Sequence, residues 1–581
     1  MASQIGKTQG NRNMVFLAVI MGLGFLVRFH GISFGLPYLY HADEPIVVNH
    51  ALAYGSGDLN PHFFRIPPLA SYLLFAIYGF IYLAGYFSGL LSGVLEFERL
   101  FYSDPTLFYI VGRLVLGVIP GTLSIFILYQ LVLAHFGGKA ALISAFMFSL
   151  SFLHVRDSHY IYPDILLVLV LIASFFIIFR LSRAGGAIDG RAHLQAGFLI
   201  GLAAAVKYNG IFLIIPYITA VLFSGKATQS VVAIIKAGAV SFLVFFILNP
   251  YAILDFNFFL AEMRAENTAH NEGTSFFHHL TYGLLGSLGI PCLFMSFAGA
   301  CLYLSPHFNR EQATKIAVLS SFITAYYGIL VLKGQHYDRY VLPMMPFLII
   351  LASIFISWMS SQQKWKNAVL IISVLIATAF PFAKTFLLMM IINKEDVRTQ
   401  ARTWVEENIP SGSVLGLGIP FYMPRLQQSE SQLLKRQQEL KGYVTFSEAQ
   451  TRRLTFHLNK ERHLKKGYNF YYLSDQPEMK HFLFSGPFVA YDFDHLKKLG
   501  VQYLILTGSL ELKGKQNFRY KRDSGMERVA TFSPYKTLQV DSPYDTYPLT
   551  GLPFTWQELY NRKTNGMPLV IYHLKETPKA A

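Results

Sequence analysis

Two adjacent carboxylates, Asp43 and Glu44, follow the first long apolar segment, in the stretch YHADEPIVVNHALAYGSGD. Such a pair suits a general base tuned by its neighbour, or a cation site. Asp43 also fits the N-cap of a short amphipathic helix lying along an interface, since Ile46, Val47, Ala51 and Tyr54 recur at helical spacing. A cap does not call for Glu44 as well. A second stretch, HVRDSHYIYPDILLVL, carries Asp157 in a loop and Asp164 directly after Pro163. Proline followed by aspartate is ordinary grammar for a helix start. The neighbouring Arg156, His159, Tyr160 and Tyr162 instead make a loop rich in hydroxyl and imidazole groups, of the kind a sugar ring binds. GLAAAVKYNG places Lys207, and KGQHYDRYVLP places Lys333, His336, Asp338, Arg339 and Tyr340, at the ends of apolar runs. Lysine and arginine at helix ends commonly snorkel to water. Phosphate recognition also takes a point-charge lysine together with a forked arginine. No glycine-rich nucleotide cradle is present, so a phosphate bound here is expected to come from a lipid.

These residues stand in a chain that is 53% hydrophobic, 15% aromatic and only 14% charged over 581 residues, outside the range of soluble domains. The expected fold is a polytopic α-helical membrane protein of about eleven spans with interfacial helices and a small soluble C-terminal α/β domain. Only 15 of the 34 acidic residues fall in the first 394 positions, so the membrane part is expected over 1–394 and the soluble part over 395–581. Within the membrane part, 31–106 reads as a first outer loop with interfacial helices. Apolar runs near 14–34, 107–134, 140–155, 164–183, 194–206, 210–224, 230–249, 281–304, 315–332, 340–360 and 366–392 approach the roughly 20 residues a span requires. Leu69 to Leu95 is equally apolar but carries four glycines, and is read as lying in the outer leaflet. The loops that then face the cytoplasm hold 12 basic residues against Asp189 and Glu311, as the positive-inside rule asks. The N-terminus is expected inside, as an uncleaved signal anchor, and the tail outside. Asp43, Glu44, Asp157, Asp164, Lys207, His336 and Arg339 all fall on the outer rim, where buried charge must pair or work.

Elsewhere the signals are weaker. The loop Tyr251 to Leu280 holds His270, His278, His279 and several carboxylates without a tight ligand spacing, and reads as a lid over the site. Cys292 and Cys301 share one apolar run and promise neither a disulfide nor a metal cluster. The tail carries a net charge of +7, from 26 basic and 19 acidic residues, read as an ordinary soluble surface. DVRTQARTWVEENIPSGSVLGLG reads as helix then strand, FDHLKKLGVQYLILTG repeats that order, and PLVIYHL is a final strand. No nucleophile with a base stands out there, so the tail is expected to bind substrate or cap the membrane site.

ADEPIVVNHALAYGSGDLNPHFFRIPPLASYLL, YIYPDILL, GLAAAVKYNG, RYVLPMMPF and RTQARTWVEENIPSG together resemble the polyprenyl-phosphate-dependent glycosyltransferases of the GT-C fold, the class of protein O-mannosyltransferases and lipid A aminoarabinose transferases. The resemblance implies Asp43 as catalytic base with Glu44 as its partner, Asp164 as the second-loop carboxylate, and Lys207 and Arg339 as phosphate binders. Tyr340, His336, Asp157 and His159 are the expected substrate contacts. Where many relatives have a lysine before the first-loop prolines this chain has Ile66, with Arg65 one place earlier as the candidate for that contact. The implied reaction moves a sugar from a polyprenyl-phosphate carrier to a hydroxyl acceptor on a glycolipid, glycan or protein at the outer face, with inversion. No metal or other cofactor and no nucleic acid are expected. A multi-pass transporter and a non-catalytic glycan-binding membrane protein are the competing classes. A transporter is expected to place its charges near the midplane in repeated halves, and no repeat is visible.

Overall fold

The computed structural model describes residues 2–183, 188–226, 228–269, 276–333, 337–440, 455–456, 458, 466–474, 487–490, 492–507, 526–537 and 555–575. Its contacts separate two units, one of Met1–Ile32, Asp43–Gly85 and Phe108–Met389, the other of Ser33–Ala42, Tyr86–Leu107 and Met390–Ala581. The packing division differs from a single cut near Lys394, because Ser33–Ala42 and Tyr86–Leu107 pack with the unit of the tail.

The first unit is helical. Among the described residues nine helices are long and apolar enough to cross a membrane: Arg12–Phe29, Leu69–Phe87, Thr106–Phe136, Asp164–Leu181, Val231–Leu248, Phe276–Leu304, Arg310–Leu332, Asp338–Ser361 and Lys366–Ile391. Eight correspond to runs read from the sequence. The other three runs form the shorter helices Gly138–Ser149, Gly190–Val206 and Ile214–Phe223. Leu69–Phe87 is the addition: it stays helical through Gly79 and Gly85 and ends just before Gly89, at φ +76°. A glycine costs a helix only about 1 kcal/mol, which an apolar surround outweighs by forbidding unpaired backbone.

The chain is a multi-pass membrane protein, and its burial is graded accordingly. In Asp338–Ser361, 83% of the spanning window is buried inside the bundle, while Val231–Leu248 buries only 6%. Phe242, Leu243 and Ile247 lie well exposed on the latter, a face that suits hydrocarbon and not water.

Irregular backbone inside the bundle is satisfied by buried cations. At the end of helix Gly138–Ser149, Arg28, fully buried, donates to Ser149 O at 3.0 Å and Phe148 O at 3.4 Å while facing His154 Nδ1 at 2.9 Å. Gly286–Cys301 breaks at Gly289, whose φ of +76° is left-handed backbone open to glycine, and Lys384 donates to the Gly286 carbonyl. A π-helical turn over Leu114–Val118 follows Arg113 and brings Gly117 against Ser158, where an added Cβ would overlap the carbonyl oxygen.

Among the described residues the second unit is built on a six-stranded sheet. Its strands are β1 (Val414–Leu417), β2 (Asn469–Leu473), β3 (Phe488–Val489), β4 (Tyr503–Thr507), β5 (Met526–Phe532) and β6 (Leu569–Leu574), in the order β3-β2-β1-β4-β6-β5. The first four run parallel to one another, and β6 runs antiparallel to both β4 and β5. β1, β4 and β6 and the helices Val397–Asn408 and Phe493–Lys498 fall where the sequence places them. Asp396 caps the first of these helices by accepting from the Arg398 N–H at 2.8 Å. Arg398 returns a two-point contact to Asp396 and lies 3.9 Å from the centre of the Tyr40 ring, which fixes Ser33–Ala42 within this unit.

Candidate active site

The adjacent carboxylates part company. Asp43 occupies the N-cap position of helix Glu44–Ala53, yet its side chain makes no capping bond. Its Oδ2 instead accepts from Arg339 Nη1 at 2.6 Å, with about a quarter of the side chain exposed. Glu44 points the other way and is fully buried. Arg113 grips it at two points, 2.8 and 2.7 Å, and the Ile161 N–H donates to it at 3.1 Å. Arg113 also donates to the Ile32 carbonyl at 2.6 Å. Glu44 thus ties the end of the first helix, the start of Glu44–Ala53 and the second loop at one point, and holds Asp43 beside it.

A matching arrangement stands behind Arg339. Asp338 and Arg339 open the short turn before the buried helix Met345–Ser361. Asp338 accepts from Arg156 Nη1 at 2.6 Å and from the Arg339 backbone N–H at 2.7 Å. Arg156, fully buried, also donates through Nε to Asp157 at 2.7 Å. In each of the pairs 43/44 and 338/339, one residue anchors in the protein and its neighbour faces the site.

Lys207 follows helix Gly190–Val206, and its Nζ donates to Asp164 Oδ1 at 2.6 Å at the start of helix Asp164–Leu181. Burial pulls the Lys207 ammonium below its ordinary range, and Asp164 opposes that shift. Lys207 lies 5.3 Å from the centre of the Tyr162 ring and 5.4 Å from that of Tyr340. Arg339 lies 4.3 Å from Tyr162 and 5.4 Å from Tyr337. Two cations therefore share one aromatic platform, each held by a carboxylate. Arg339 Nε and Asp164 Oδ2 are buried without a hydrogen-bond partner among the described residues. One is a donor and the other an acceptor, both at this point.

Other sequence candidates stand elsewhere. His159 is fully buried with Nδ1 2.9 Å from Val155 O and Nε2 2.9 Å from His30 O. Both ring nitrogens face backbone carbonyls, so the ring offers no edge to a sugar and acts as a brace. Asp157 is engaged by Arg156 and only 5% exposed, so it too is a support for the loop. Arg65 pairs with Glu262 at 3.4 Å on helix Phe256–Ala269 and is not joined to Lys207 or Arg339. His336 lies outside the described residues, as do His270 and Glu272 of the expected lid. Cys292 is buried and Cys301 exposed, both as free thiols. Among the described residues no three histidine, cysteine, aspartate or glutamate side chains are grouped as a metal ion requires. Arg113 escaped sequence reading because it lies inside the apolar run 107–134. Its signal was being the single charge there, which demands a buried partner.

Asp157 makes a pH prediction. Burial raises its carboxyl to about 6, with Arg156 opposing and the Asp338 carboxylate adding to the rise. The folded form thus holds a proton that the unfolded chain releases near the ordinary 3.8. Stability is expected to fall as pH rises from about 4 to about 6. Thermal melts of wild type and Asp157→Asn across that window check this, the variant being expected to show the flatter curve.

Residues 109–253 match the family described as dolichyl-phosphate-mannose-protein mannosyltransferase, in agreement with the resemblance read from YIYPDILL and GLAAAVKYNG. The matched segment carries Arg113, Arg156, Asp157, Asp164 and Lys207. No curated protein matches the chain by sequence. Among solved structures, the apo oligosaccharyltransferase of Archaeoglobus fulgidus is 12% identical, with a TM-score of 0.48 over 95% of this chain and 77% of its own. The oligosaccharyltransferase AglB of the same organism, in complex with an inhibitory peptide and a dolichol-phosphate, is 13% identical at a TM-score of 0.47 over 87% and 70%. ArnT from Cupriavidus metallidurans bound to undecaprenyl phosphate is 14% identical at a TM-score of 0.41 over 89% and 96%.

Proposed function

We propose that this chain is a membrane glycosyltransferase that moves a sugar from a polyprenyl-phosphate carrier to a hydroxyl acceptor, with inversion at the anomeric carbon. The observation that carries this reading is the pair Lys207 and Arg339 on the Tyr162 ring, each ion-paired to a carboxylate at the end of an apolar helix. The family match over 109–253 supports the same class. A lysine point charge beside a forked arginine binds the carrier phosphate and stabilises the charge that grows on it as the glycosidic bond breaks. Asp43, the more exposed of the two adjacent carboxylates, removes the acceptor proton. Asp164 holds Lys207, and through its free oxygen takes a hydroxyl of sugar or acceptor. Glu44 and Asp338 are positioning residues, fixed by Arg113 and Arg156. The excess of basic residues in alternate loops, counted with Leu69–Phe87 held in the outer leaflet, supports an N-terminus in the cytoplasm and a site and tail on the opposite side.

The test is release of polyprenyl phosphate from a purified chain given a polyprenyl-phosphate sugar and cell-envelope acceptors. Lys207→Ala is expected to reduce release about 10²- to 10³-fold, as loss of one preorganised charge donor does. Release at the wild-type rate removes Lys207 from the phosphate site.

A further inference from the structure

We infer that Arg339 is a shared counterion which passes from Asp43 to the carrier phosphate during the transfer, so that proton removal and phosphate departure are coupled through one guanidinium. The inference rests on the proposed glycosyl transfer and assigns Arg339 a second role within it. It starts from a conflict in the geometry. Arg339 Nη1 lies 2.6 Å from Asp43 Oδ2, and a guanidinium this close stabilises the carboxylate as an anion and weakens it as a base. The same guanidinium is half of the cation pair that a phosphate requires.

Charge counting resolves the conflict. Lys207 and Arg339 are matched by Asp164 and Asp43, so the charges of these four side chains cancel before the donor arrives. The donor phosphodiester adds one negative charge, and the departing phosphate monoester carries close to two. In the reacting step the acceptor O–H bond breaks and its proton forms an O–H bond on Asp43. The oxygen's electron pair forms the new bond to the anomeric carbon. The old bond from that carbon to the phosphate oxygen breaks, and its electrons stay on the phosphate. Asp43 thus loses the negative charge that the phosphate gains. Arg339 loses its reason to stay on Asp43 as a second anionic oxygen appears. The side chain is built for two partners: Nη1 is committed to Asp43, while Nε is buried without an acceptor. Asp338 fixes the backbone at this residue, and the Tyr162 face guides the guanidinium plane, so only the head group need turn.

The experiment is binding of undecaprenyl phosphate to the purified full chain and its variants. If Arg339 is shared, Asp43→Asn releases it and tightens binding about tenfold, or about 1.4 kcal/mol, though the variant has lost its base. Asp43→Ala, tested beside it, is expected to show the same sign and covers poor folding of the asparagine variant. The gain must vanish in an Arg339→Gln background and persist in a Lys207→Gln background, a double-mutant cycle that separates hand-over from a general change of field. Unchanged or weaker binding by both Asp43 variants overturns the hand-over and leaves the glycosyl-transfer reading standing, as does a gain that survives Arg339→Gln. No binding of undecaprenyl phosphate by wild type overturns both.

Discussion

Asp43→Asn is expected to lower sugar transfer by about 10²- to 10⁴-fold, the range set by loss of a positioned general base. The substitution keeps the size of the side chain and removes only its charge, so Arg339 is freed from its ion pair while Lys207 stays on Asp164. What disappears is the ability to take a proton. The loss should therefore fall on kcat, with KM for the lipid donor lower, a split measured by release of polyprenyl phosphate across a range of donor concentrations. The backbone N-cap geometry does not depend on this side chain, which makes no capping bond, so thermal stability should change little. Wild-type turnover in Asp43→Asn would assign the base elsewhere, and a large loss of stability would return Asp43 to a capping role.

The second large effect is on folding. Arg113→Met is expected to destabilise the chain by about 3–5 kcal/mol, because it strips a fully buried Glu44 of its partner and leaves an uncompensated carboxylate. Adding Glu44→Gln should recover most of that loss, since the amide is uncharged and its oxygen still accepts from the Ile161 N–H. Melting temperature in detergent reads both steps. Turnover is expected to remain low in the double variant, because an amide without the two-point grip of Arg113 no longer fixes where Asp43 points. Full activity in the stabilised double variant would show that the pair holds the fold and does not aim the base.

The two effects meet in a common design. Asp43 and Arg339 form an ion pair across 296 positions of sequence. Each is backed by an adjacent residue in a buried pair, Glu44 with Arg113 and Asp338 with Arg156. Buried pairs add little net stability because desolvation offsets attraction, but breaking them is costly. Their value here is geometric: each ties a connecting segment to a neighbouring helix and lets the adjacent side chain project from a fixed backbone.

Much was set by sequence alone, because hydropathy and caps are local properties. Apolar runs and terminating glycines placed the long helices, and alternation with proline and glycine stops placed β1, β4 and β6. The family likeness was legible in short stretches such as GLAAAVKYNG, and Asp43, Asp164, Lys207 and Arg339 stood out as charges at the ends of apolar segments. Which charge meets which was decided only by the packed bundle. Arg113 in an apolar run, Arg28 on the last carbonyls of Gly138–Ser149, and His159 with both nitrogens on backbone are assignments between residues up to 129 positions apart. A buried ion is stable only where helix packing delivers a partner within hydrogen-bond reach, and that distance is a property of the whole fold that no window of sequence contains.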